Sequence, residues 1–93
     1  MDEPLDPASA KRLILEIIAS GQMVFSTHAE QEMENDNLIA TDVVNVLRGG
    51  VVEPAEFDRG TFRYRVRTQK IFVVVAFRSE NELRVVTAWR VKP

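Results

Sequence analysis

The sequence predicts an α+β fold, three N-terminal helices followed by a four-stranded antiparallel sheet. Two observations predict it. Up to residue 50 the apolar residues recur at helical spacing, and beyond it the period shortens in segments rich in Val, Phe, Arg and Thr. A chain of 93 residues adds a third constraint, because it holds one domain with one modest core. That domain is expected over residues 1–93, with 1–6 as a flexible N-terminus.

Each element has its own warrant. Asp6 suits an N-cap, with Pro7 at the first helical position, where no amide donor is missed. Ala10, Leu13, Ile14, Ile17 and Ile18 then form one apolar face, and Gly21 supplies the stop, giving a helix over 7–20. "MVF" at 23–25 reads as a short extended link. Thr27 and Glu30 have capping-box spacing and predict a second helix over 28–35, with Ala29 and Met33 inward. Thr41 is the expected cap of a third helix, whose Val43, Val44 and Leu47 face the core and which Gly49 and Gly50 end. Residues 51–57, 61–68, 70–78 and 82–90 read as strands joined by reversals at "RTQK" and "RSENE". "IFVVVAF" is apolar on both faces, the pattern of a central strand covered on each side. No internal repeat or low-complexity tract is visible.

Composition excludes several classes of protein. There is no cysteine, hence no disulfide staple, thiolate zinc site or thiol nucleophile. No apolar run approaches the ~18 residues a membrane span needs. The acidic, Pro-bearing start is the opposite of a secretory n-region, so a cytoplasmic location is expected. The net charge of −2 hides an asymmetry. Residues 1–58 carry three cations against twelve anions, a balance of −9, and residues 59–93 carry nine against two, a balance of +7. Either one surface attracts a polyanion or the two halves attract each other.

"TFRYRVR" at 61–67 concentrates that positive charge. Alternate residues of a strand share a face, so Phe62, Tyr64 and Val66 belong to the core side. Arg63, Arg65 and Arg67 belong to the other side, where Arg78, Arg84 and Arg90 of neighbouring strands could join them. Arginine is suited to bidentate phosphate contact. The alternative is internal pairing with Glu53, Glu56 or Glu82.

The stretches "AKRLILEIIASGQMVFSTHAEQEM", "IATDVVNVLRGG", "FRYRV" and "RVVTAWR" resemble small bacterial domain-of-unknown-function proteins near the RelE and MqsR toxins. "LEIIASGQMVFSTHA" is similar to the corresponding part of MqsR. The resemblance spans nearly the whole chain, although its motifs are short. It implies a RelE-like, microbial-ribonuclease-like fold and the toxin role in a type II toxin–antitoxin system. The activity it implies is metal-independent cleavage of mRNA, free or on the ribosome, by an endoribonuclease without a cofactor. The partner it implies is a cognate antitoxin whose zinc, where present, belongs to that partner. A non-catalytic module binding RNA or antitoxin is the alternative.

Such a site must position a phosphate, neutralise developing charge and move protons. His28 matches the histidine of the family's "HA" motif and is the expected base. Tyr64 is the expected proton donor and Arg65 completes the catalytic set, while Arg63, Arg67, Arg78 and Arg90 hold RNA. Each has a plainer reading: His28 closing a helix start, Tyr64 as a core residue with a wet hydroxyl, the arginines as a solvated face. Trp89 could stack on a base or pack inside. Thr87 could bond a phosphate or fill a strand position. Lys70, at an expected turn, reads as solvated charge.

Overall fold

The computed structural model describes residues 1–92. The order of elements is α1 Pro7–Ser20, β1 Gln22–Phe25, α2 Thr27–Asn35, α3 Ala40–Gly49, β2 Val51–Val52, β3 Glu56–Asp58, β4 Thr61–Arg67, β5 Ile71–Ser79 and β6 Glu82–Arg90. The class is α+β, but the expected sheet is wrong in two respects. Among the described residues it has six strands, ordered β1-β6-β5-β4-β2 with β3 also on β4, and its β1–β6 pair is parallel.

The missed strand is "QMVF", expected to be a link. It lies along β6 with Gln22 opposite Glu82 and Phe25 opposite Val85. Four residues on an edge are too few to show a period, and the parallel partner is sixty residues away. Gly21 makes the approach possible, because a Cβ there would collide with the carbonyl of Asn81, which accepts from the Gln22 amide at 2.8 Å.

The expected strand 51–57 is two short strands on one edge of β4. Val52 pairs with Val66, but Glu56 pairs with Arg63, so the chain between them holds one residue more than β4 does. This bulge falls at Glu53–Pro54–Ala55, where Pro54 has no amide to donate. Asp58, Arg59, Gly60 and Thr61 then form a tight hairpin. Arg59 and Gly60 have φ of 52° and 81°, the signature of a two-residue turn with both central residues left-handed.

The helices start where their caps dictate. Ser26, not Thr27, caps α2. Its Oγ accepts from the Ala29 amide at 2.9 Å and donates to the Val86 carbonyl at 2.8 Å. Helix α3 starts after Ile39, whose amide donates to Asp42 at 2.9 Å, and Thr41 lies inside the first turn. At its other end Lys11 of α1 reaches across, its Nζ donating to the carbonyls of Leu47, Arg48 and Gly50 at 2.7–2.9 Å. One ammonium thereby satisfies three carbonyls at or just past the end of α3.

Helices α1 and α3 cover one face of the sheet, and α2 continues along β6 where β1 leaves it. The core lies beneath that layer. Ile14, Ile17, Val43 and Leu47 meet Tyr64, Val66, Val73, Val75, Leu83 and Val85. Among the described residues, the opposite face carries no helix. Strand β5 is central, as its apolar run requires, but its outer residues Phe72 and Val74 are only half-buried. Arginine stems and an aromatic neighbour cover them instead of a second layer.

Candidate functional site

The ladder register arranges the open face in rows. Arg67, Phe72 and Trp89 form one row, and Arg65, Val74 and Thr87 the next. Continuing the same register puts Arg63 beside Ala76, which pairs with Arg84. The small floor residues Val74 and Ala76 leave a trough. The β3–β4 hairpin walls it on one side and the start of α2 on the other.

Two adjoining cavities of about 330 Å³ each occupy the trough, and Arg63 lines both. The first is bordered by Glu56, Phe57, Asp58, Arg65, Thr87 and Trp89. The second is bordered by Ser26, Thr27, His28, Arg59 and Arg84. Among the described residues its lining thus includes one imidazole, three guanidinium groups and no carboxylate, and of the three arginines only Arg63 is ion-paired, to Asp58. His28 is exposed at the second position of α2, close to amides that have no partner within the helix. The positive end of the helix dipole adds to the local field. An oxyanion is the ligand this arrangement favours. A larger cavity of about 520 Å³ beside α2 is apolar apart from Glu30 and Glu34 and offers no such donor set.

The arginines of β4 are committed to different degrees. Glu53 binds two of them: Arg65 donates twice to its Oε1, at 2.9 and 2.7 Å, and Arg67 once to its Oε2 at 2.7 Å. Both guanidinium groups, Arg65 first, hold the Glu53 carboxyl below the usual carboxylate range. Arg65 also lies over the Phe72 ring, 5.4 Å from its centroid. Arg63 pairs with Asp58 at 3.2 Å, and its Nε is buried with no acceptor among the described residues.

The expected catalytic set does not come together. His28 lies with Arg63, and Arg65 faces the adjoining cavity. Tyr64 is on the other side of the sheet, fully buried in the core. Its hydroxyl donates to Glu3 at 2.8 Å and accepts from the Leu5 amide at 2.9 Å. Burial, with the Glu3 carboxylate, pushes its pKa up to about 12. The alternation of "FRYRVR" requires this separation, since Tyr64 and Arg65 are consecutive.

Two arginines expected to bind RNA also lie elsewhere. Arg90 reaches the end of α2, donating to the carbonyls of Asp36 at 2.7 Å and Asn37 at 3.2 Å. Its amide donates to the Asp36 carboxylate, which this bond and then Lys92 hold below the usual range. Arg78 is exposed at the end of β5, pairs with Glu82 at 3.2 Å and lines neither cavity. Arg65 is partly accessible on the face opposite the helices, with Arg67 on the other oxygen of Glu53. Trp89 also faces that side, stacked on Phe72 at 5.3 Å and 25°.

The sequence pattern assigns no role to Arg59, and it places Arg84 only as a neighbour of the stripe. "DRG" is a legible hairpin signal that would have put Arg59 at the tip. No residue pattern indicates that this tip faces α2. Among the described residues, no three His, Cys, Asp or Glu side chains are grouped so as to hold a metal ion. No helix among them is long and apolar enough to cross a membrane.

Residues 25–90 match the model of a family described as a domain of unknown function, DUF4258. No curated protein and no solved structure matches the chain. The matched span starts at the end of β1 and closes with β6, so it contains the whole trough.

Proposed function

We propose that this chain, which belongs to the DUF4258 family, is a metal-independent endoribonuclease that cuts mRNA in the cytoplasm as the toxin of a toxin–antitoxin pair. One observation carries the reading: His28 shares a cavity with Arg59, Arg63 and Arg84 and with no carboxylate. RNA supplies its own nucleophile, so a protein need only hold the phosphate, stabilise charge and move a proton.

In this mechanism the imidazole of His28 takes the proton of the ribose 2′-hydroxyl. The 2′-oxygen bonds to phosphorus, the bond from phosphorus to the 5′-oxygen breaks, and a 2′,3′-cyclic phosphate forms. The proton held by His28 returns to the leaving 5′-oxygen, which closes the proton balance with one histidine. Arg84 and Arg63 face the non-bridging oxygens, where charge builds up. Arg59 and Arg84 carry no ion pair among the described residues, so their guanidinium groups are free to meet the phosphate. Tyr64 takes no part, because its hydroxyl is buried behind the sheet and already bonded. The toxin role adds an antitoxin partner, with any zinc in that partner.

The test is incubation of the purified protein with single-stranded RNA in excess EDTA. Cleavage leaving cyclic-phosphate or 3′-phosphate ends supports the mechanism. Cleavage abolished by EDTA refutes it while keeping the substrate. A non-catalytic module is favoured by a different observation, the neutralisation of Arg65 and Arg67 by Glu53. Binding without cleavage, on free RNA and on a translating ribosome, would assign that module.

A further inference from the structure

The two cavities of the trough differ in charge, and the difference bears on what each accepts. The His28 cavity has Arg59 and Arg84 with no ion-pair partner among the described residues, besides the Arg63 that it shares with its neighbour. The neighbouring one has Arg63 and Arg65, but Asp58 pairs with the first and Glu53 with the second. Glu56 stands on its border with no ion pair or side-chain hydrogen bond among the described residues. A phosphate gains little there, and a planar neutral group gains more.

The walls suit such a group. Trp89 lines the cavity and is backed by Phe72, which stacks on it at 5.3 Å. Val74 supplies an apolar floor and Thr87 a hydroxyl. Aromatic platforms hold single-stranded bases by stacking. A free carboxylate on the rim accepts from an exocyclic amino group, as Glu and Asp do from cytosine N4. Uracil has a carbonyl at that position and would meet the carboxylate with two acceptors facing each other.

We infer that this cavity is a nucleobase subsite that prefers cytosine to uracil, with Trp89 as the stacking platform and Glu56 as the discriminating acceptor. The inference rests on the reading of the trough as an RNA site and names which base sits beside the reacting phosphate. Because Arg63 borders both cavities, base and phosphate belong to one nucleotide or to adjacent ones.

Binding can be measured without cleavage. Hexamers of 2′-O-methyl cytidine and 2′-O-methyl uridine lack the nucleophile, and Trp89 is the only tryptophan of the chain. Titration of the wild-type protein should change Trp89 emission, with the cytidine hexamer binding at least about 5-fold more tightly. Glu56→Ala should erase that preference, lowering the affinity for the cytidine hexamer and not that for the uridine hexamer. Trp89→Leu, followed with end-labelled hexamers, should weaken both by at least about 5-fold. Silent Trp89 emission on binding, a preference that survives Glu56→Ala, or no binding of either hexamer overturns the subsite. Cleavage of unmodified RNA is assayed in parallel. Cleavage with silent Trp89 removes the subsite and leaves the ribonuclease. Cytidine-selective, Glu56-dependent emission changes without cleavage support the subsite and remove the ribonuclease.

Discussion

Replacing Tyr64 with Phe separates structure from chemistry at the residue expected to donate a proton. The ring stays in the core, packed 5.1 Å from the ring of Phe77, and only the hydroxyl is lost. That hydroxyl makes two hydrogen bonds, one to the Glu3 carboxylate and one from the Leu5 amide. A bond to a charged group contributes about 1.5–3 kcal/mol and a neutral one about 1 kcal/mol. Glu3 can turn to water once released, so a net loss of about 1–3 kcal/mol is expected. In a domain of this size each kcal/mol moves Tm by roughly 4–8 °C, so a fall of about 5–20 °C should appear in a thermal melt. RNA cleavage measured well below the new Tm should equal wild type.

The same residue sets an alkaline limit. Its folded pKa of about 12 lies above the ordinary value of 10.0, so the unfolded chain loses the proton first. The stability this group contributes is full below pH 10 and falls as pH climbs toward 12. Tyr64→Phe should flatten that fall. Lost cleavage with an unchanged Tm would refute the structural assignment and return Tyr64 to the chemistry.

Lys11→Met keeps the stem of the side chain and removes three hydrogen bonds to carbonyls at the end of α3, so chemical denaturation should show a loss of about 1.5–3 kcal/mol. An unchanged denaturation midpoint would mean that water replaces the ammonium at no cost. Glu53→Gln releases Arg65 and Arg67 from their shared carboxylate. RNA binding should tighten at low salt, and the slope of log K against log salt should steepen by about 0.7 for each further phosphate neutralised on a single strand. A slope equal to wild type would show that these arginines never meet phosphate.

The sequence made the helices and the long strands legible because each repeats its period several times. The 7–20 apolar face and the "FRYRVR" alternation both specify a buried side, and both lie as expected. Short edge elements were not legible. Four residues of β1 and two of β2 carry no period, and the bulge at Pro54 shifts pairing by one without altering the apolar count. Cap positions slipped because Ser26 and Thr27 are chemically alike, and the contact of Ser26 with Val86 decides between them.

At the site, alternation identified Arg63, Arg65 and Arg67 as one face but could not show that Glu53 occupies two of them. Arg90 fails on the face assignment, because the irregular register between Val74 and Val75 turns β6 relative to a simple count. Tyr64 fails on the expectation of a wet hydroxyl, because residues 3–5 cover it. His28 and Arg63 are 35 positions apart, and only the run of α2 along β6 brings them together.

The measurement that bears most directly on the central claim is the single-turnover rate of RNA cleavage by His28→Gln against wild type, in EDTA and with Tm recorded for both. His28 is exposed and makes no core contact, so the fold should be unaffected. The rate should be lower by roughly 10²-fold or more at an unchanged Tm. Wild-type rates in the variant would contradict it and remove the proton-transfer step from this cavity.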